Sequence, residues 1–331
     1  MAVVVALSGC LGGGEKGATE SGVRDVENAT VTEDELLARV SAVFRASPAA
    51  ARRGWNNALA YADLDGAREQ LGLGGDEAIS GRAKQRLLLS YATRPLFQFS
   101  TVIGGNPSLG PLGDVIDSRQ IGVAVGTNFA FSGPGADEIW PWDVVVLSTR
   151  QPFQEIVASL RRKGYDEANG LLVNDRRPPG LDRRHLHQVP FPAVGDAGEG
   201  VIVLGGSPQA VRAAMRGAEA ELTATAALLG ELPGVARVAG GSFSRCVQAI
   251  GLGENAVPRQ GELVVVVDGE AQANRLLFAS RTYAGLSSGA EVGFGDATAE
   301  GDRVSVRFTS TDELNPTRLP VENVDRPYEC G

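Results

Sequence analysis

Gly285-Leu286-Ser287-Ser288-Gly289 has the Gly-x-Ser-x-Gly spacing of a nucleophile elbow, in which a strained turn lifts a serine hydroxyl above a sheet. Such an elbow needs a strand before the serine and a helix after it; here the apolar patterning puts a helix first and a strand second. The histidine that would activate the serine should also follow it, yet both histidines, His185 and His187, precede it. His185-Leu186-His187 alternates, so on an extended segment both imidazoles would face one way and could share a metal with Asp182. Arg176, Arg177, Arg183 and Arg184 crowd that segment and repel a cation, so no metal site and no cofactor is expected. These arginines form a basic cluster in an acidic chain. They are a candidate for holding carboxylate or phosphate groups of a polymer or headgroup, since guanidinium forks grip such anions bidentately. Asp63 and Asp65 resemble a catalytic carboxylate pair, but the amide groups at a helix start call for this residue type, and capping is the better account. No catalytic residue is assigned; a hydrolase using Ser287, or a metal at His185 and His187, stands as the alternative function.

The position whose chemistry demands every neighbour is Cys10. Ala2-Val3-Val4-Val5-Ala6-Leu7 is an apolar run, and Leu7-Ser8-Gly9-Cys10 follows the order Leu, small, small, Cys. This resembles the end of a lipoprotein signal peptide and its lipobox. The resemblance implies that the Cys10 thiol becomes a thioether to diacylglycerol, that residues 1–9 are removed, and that a fatty acyl chain such as palmitate joins the anchor. The run is shorter than the ~7–15 residues of a signal core and has no Lys or Arg before it, so the true translation start is expected upstream. Two other readings are a buried first strand and a nucleotide loop at Gly9, Gly12, Gly13 and Gly14. The loop reading needs a helix after the glycines, and Glu15 to Gly22 lacks apolar periodicity. Residues 10–31 are then a lipidated cysteine and a Gly-rich polar tether. A flexible chain of that length holds the folded part about 25 Å from the membrane.

An exported chain meets oxidising conditions, and lipidation of Cys10 leaves Cys246 and Cys330 as a pair. Their disulfide would close a loop of about 85 residues and constrain the unfolded chain by roughly 4–5 kcal/mol on the loop-entropy model.

These positions need a scaffold. A chain of 331 residues, 43% hydrophobic, buries a substantial core, while a net charge of −9 lacks the basic footprint that nucleic acid requires. After the N-terminus no apolar run reaches the ~18 residues of a membrane helix. The expected partners are therefore a membrane, through the lipid, and an envelope polymer or protein.

Thr32 with Glu35 reads as a capping box opening a helix from about 33 to 46. Ala58–Ala62 reads as a strand, Asp63 as the cap of a helix ending at Gly72, and Ala83–Phe97 as a further helix. Val144–Leu147 is a buried strand, and Trp140-Pro141-Trp142 just before it reads as the anchor of a core edge, with the lining of a groove as the alternative. Phe153 to Leu160 keep helical spacing until Gly164, and Leu171–Val173 and Val201–Leu204 are strands. Ser207-Pro208 caps a helix through Val211, Ala214 and Met215. Leu263–Val267 is a strand, Asp268 caps a helix bearing Leu276, Leu277 and Phe278, and Glu291–Phe294 forms a hairpin with Arg303–Phe308.

Both halves thus contain a β-α-β-β run. Each is preceded by a similar phrase, Gln70-Leu71-Gly72-Leu73-Gly74 and Ala249-Ile250-Gly251-Leu252-Gly253, which suggests a duplication. The expected class is α+β, with mainly antiparallel sheets carrying helices on one face, in units 32–235 and 236–331; a doubly wound α/β sheet is the alternative. In its tether, its Ala-Tyr-Ala-Asp-Leu segment and its β-α-β-β runs, the chain resembles actinobacterial surface lipoproteins. That implies an exported protein on the outer face of the cytoplasmic membrane, with a non-catalytic binding or scaffolding role.

Overall fold

A computed structural model describes residues 31–47, 54–70, 72, 115–128, 142–174, 191–241, 246–255, 260–275 and 292–310. The expected helix over 83–97 lies outside them. All belong to one compact unit, Val31–Gly331.

Local chemistry sets most of the helices. Thr32 caps α1 (Glu33–Ala46) by accepting from the Glu35 amide at 3.2 Å. The Glu35 carboxylate does not return the bond; it grips Arg39 one turn on, at 2.6 Å. Arg39 in turn donates to the carbonyls of Ala214 and Met215, which end α4 (Pro208–Met215). Ser207 and Thr223 cap α4 and α5 (Ala224–Glu231) in the same manner as Thr32. Strand β1 (Gly54–Asp63) runs straight into α2 (Leu64–Gln70), and α3 (Phe153–Arg162) stops before Gly164, whose φ of 86° no β-carbon favours.

The remaining strands are β2 (Ile121–Asn128), β3 (Val144–Thr149), β4 (Asp166–Ala168), β5 (Leu171–Val173), β6 (Ala193–Gly198) and β7 (Val201–Gly205). They continue with β8 (Ala236–Gly241), β9 (Val247–Glu254), β10 (Gln260–Val267), β11 (Val292–Glu300) and β12 (Arg303–Ser310). A further short helix covers 270–275. The strands form one sheet in the order β11-β12-β10-β9-β8-β1-β2-β3-β7-β6-β5-β4. Each recorded pairing among the described residues is antiparallel. The class is therefore α+β with a mainly antiparallel sheet, and the doubly wound alternative fails.

Helices cover both faces of the sheet rather than the expected one. Val144 and Val146 of β3 face α1, α4 and α5 in one core cluster, while Val145 and Leu147 face Ile156, Val157 and Leu160 of α3 in another. The period-2 alternation of a strand that is apolar at every position requires cover on both sides.

Counted outward from the β1–β8 seam, the strand order is β1-β2-β3-β7-β6 on one side and β8-β9-β10-β12-β11 on the other. α1 precedes β1 as α5 precedes β8, and α3 follows β3 as helix 270–275 follows β10. The recurring unit is thus longer than β-α-β-β. It begins at α5, so a division at 235/236 falls between α5 and the strand it introduces. The paired phrases do not mark equivalent places: Gln70 ends α2, whereas Ala249–Gly253 lies inside β9.

Candidate functional site

Ser287, His185, His187, Arg176, Arg177, Arg183, Arg184, Cys10 and Cys330 lie outside the described residues. Cys246 is described: it is buried at the start of β9 and is disulfide-bonded, to a partner outside them. Trp142 packs against the core cluster around α1, as expected of an edge anchor. Among the described residues no three His, Cys, Asp or Glu side chains gather as metal ligands.

Asp63 and Asp65 separate into two tasks. Asp63 accepts from the Gly66 amide at 2.8 Å and so caps α2. Its burial raises the carboxyl pKa above the usual range, outweighing that hydrogen bond. Asp65 points to the β2–β3 end of the sheet, where it pairs with Arg68 and, at 3.0 Å, with Arg150. Desolvation raises its pKa most, but the bonds from Arg150 and Arg68 together hold it below the ordinary range. One carboxylate is a cap and the other an anchor.

At the β1–β8 seam Tyr61 and Arg237 stand opposite each other in register. The Arg237 guanidinium lies 3.9 Å from the Tyr61 ring centre and forks onto Glu33 of α1 at 2.6 and 2.9 Å. It also donates to the carbonyls of Leu229, Gly230 and Gly234. Thus one cation closes the C-terminal end of α5 and ties α1 to the seam. Burial, with the Glu33 charge behind it, pushes the Tyr61 hydroxyl pKa well above its ordinary value, so it stays a neutral phenol.

An open groove of about 490 Å³ lies beside the C-terminal end of α5, over β10, β12 and β11. Leu228, Leu232 and Val264 form its apolar side; Glu231, Glu262, Glu300 and Asp302 bring four carboxylates. Among the lining residues Arg303 is the single base, and it is engaged with Glu231. That hydrogen bond holds Arg303 more firmly protonated. Arg307 stands opposite Glu262 in register, but no ion pair is formed between them. The sequence signal for this face was the alternation in β12: Arg303, Ser305 and Arg307 point one way, while Val304 and Phe308 are buried.

No family model matches the chain, and no curated protein matches it. Among solved structures, crystal forms I and IV of TP0453 align at 11% identity, with TM-scores of 0.37 and 0.36. The first alignment covers 85% of this chain and 94% of that one, the second 76% and 88%. At such identity and score the likeness bears on neither the fold nor the function of this chain.

Proposed function

We propose that this chain is an exported lipoprotein, held on the outer face of the cytoplasmic membrane by a diacylglyceryl thioether on Cys10, where it binds or scaffolds an envelope component without catalysing a reaction. The observation that carries the reading is Leu7-Ser8-Gly9-Cys10 after an apolar run, because a lipid transferase needs that thiol and a peptidase needs the small residues before it. The Gly-rich, largely polar stretch 11–30 supports it by supplying reach with few large apolar side chains for a core. No helix among the described residues is long and apolar enough to cross a membrane, so a covalent lipid is the attachment the reading uses. Two acyl chains hold a protein stably where one does so only marginally. Within the same reading, Cys330 is the proposed partner of Cys246.

Detergent phase partitioning tests this directly. The wild type enters the detergent phase and resists high-salt washing, while Cys10→Ser stays aqueous or stalls as a precursor. Equal aqueous partitioning of both proteins overturns the proposal.

A further inference from the structure

Among the described residues, the two halves of the sheet differ in what lies over corresponding strands. In the first, α4 packs over β6, β7 and β3, beside α1. The fit is close: a β-carbon at Gly205 would meet Val211 Cγ2 at 2.7 Å, and one at Gly195 would meet Met215 Sδ at 2.5 Å. The corresponding strands of the second half are β11, β12 and β10, and the counterpart of α1 is α5. The groove is bounded by those same four elements. It lies on the same face as α4, because Val264 shares the core cluster of α1, α4 and α5. The groove therefore stands where the first half seats a helix.

Its floor has changed accordingly. Under α4 the strands offer Val144, Val146, Val201, Val203 and Ala193, all buried. The second half offers Glu262, Thr298, Glu300, Arg303 and Ser305 around Val264, and Thr298, Glu300 and Arg303 are exposed. Past β12, where the first half continues into α4, the sequence offers the cap-like Ser310-Thr311-Asp312-Glu313 and Asn315-Pro316, but the spacing of Pro316, Pro320 and Pro327 leaves no stretch between β12 and Pro327 as long as the eight residues of α4 without an internal proline.

We infer that this groove is a docking site for a helical segment of a partner protein, laid where α4 lies in the first half and presenting Lys or Arg to Glu262, Glu300 and Asp302. The helical form follows from the internal comparison, and the basic face from Glu262, Glu300 and Asp302, which form no ion pair among the described residues; Arg303 is held by Glu231, and Arg307 stands beside Glu262 on this face without pairing with it. The inference rests on the proposed binding role, and it names the chemistry of what is bound.

The test uses the full chain in detergent micelles and fluorescein-labelled, alanine-based helical peptides with lysine, or glutamate, at every fourth position. The lysine peptide binds saturably and the glutamate peptide does not. Glu262→Gln/Glu300→Gln/Asp302→Asn weakens binding at least tenfold. Glu155→Gln/Asp166→Asn/Glu167→Gln, an equal loss of charge on α3 and β4, changes it less than twofold. Ser305→Trp fills the groove at unchanged charge and also weakens binding at least tenfold.

No saturable binding, or equal weakening by both charge-neutralising triples, overturns the inference. So does a dimer in sedimentation that Ser305→Trp dissolves, since the groove then belongs to a second copy. Cys10→Ser leaves peptide binding unchanged, so failure of the lipid anchor and failure of the groove are read separately.

Discussion

Replacing Arg237 by Met removes the cation that joins α1, α5 and the seam while keeping most of the side-chain volume over Tyr61. The pair it breaks is close and mostly withdrawn from water: the Arg237 side chain is 9% exposed and that of Glu33 is 31% exposed. Removing one partner of a buried pair costs about 3–5 kcal/mol, because the other charge is left uncompensated. Glu33 retains access to solvent and recovers part of its hydration, which places the cost at the lower end. The carbonyls of Leu229 and Gly230 lose a donor as well, and an unmet buried acceptor costs roughly 1–3 kcal/mol. We expect Arg237→Met to destabilise by about 3–4 kcal/mol. Glu33→Gln leaves the more buried charge, Arg237, without its counter-ion but with three carbonyl acceptors, and should cost about 2 kcal/mol. Urea unfolding followed by tryptophan fluorescence reads both. In a thermal scan the larger effect corresponds to about 4–6 °C for a folded unit of this size. A loss under 1 kcal/mol for Arg237→Met, or one for Glu33→Gln equal to it, refutes the assignment of Arg237 as the tie between these elements.

Gly234→Ala should destabilise by at least about 2 kcal/mol in urea, because φ is +96° there and a β-carbon would meet the Glu254 backbone; unchanged stability refutes the turn geometry. Asp65, with its folded pKa lowered, contributes stability that is present above the unfolded carboxylate range and is lost as pH falls through the folded value. Asp65→Asn should therefore cost up to about 1 kcal/mol at neutral pH, a modest figure because the pair is half exposed, with the difference vanishing in acid. Asp63 has the opposite sign, its folded pKa being raised, so its contribution falls as pH rises through the carboxylate range. Asp63→Asn, which still accepts from Gly66, should gain relative to wild type over that rise; a pH-independent difference in urea titrations contradicts this. Cys246→Ala and Cys330→Ala should each destabilise by roughly 4–5 kcal/mol and not add; additive losses in the double variant refute a bond between these two cysteines.

The parts of the fold that were legible in the sequence are those where local chemistry and burial agree. Thr32 before α1, Ser207-Pro208 before α4 and the valine runs of β3 and β10 each fix their element within a few residues. β2 and β8 were not legible. Gly122 and Gly126 interrupt the first, while Arg237, Gly240 and Gly241 dilute the second, and their small residues make sense only once α1 and α5 lie over the seam. α5, Ala-Thr-Ala-Ala-Leu-Leu-Gly-Glu, has no polar face to set a period.

The groove was hidden for a related reason. Its carboxylates come from α5, β10, β11 and the β11–β12 turn, which only the sheet order brings together. Arg237 and Glu33 meet across 204 positions of chain. The proposed lipid site at Cys10 rests on the sequence alone, its neighbours in the chain being the whole of its signal.

The central claim, a lipid on Cys10, is tested most directly by mass analysis of the N-terminal peptide of the protein extracted from membranes without reduction. The expected product begins at Cys10 and carries the added mass of diacylglycerol on sulfur, with Cys246 recovered in a peptide joined to Cys330. Recovery of Cys10 still attached to residues 1–9 and unmodified, or joined to Cys246, would contradict it.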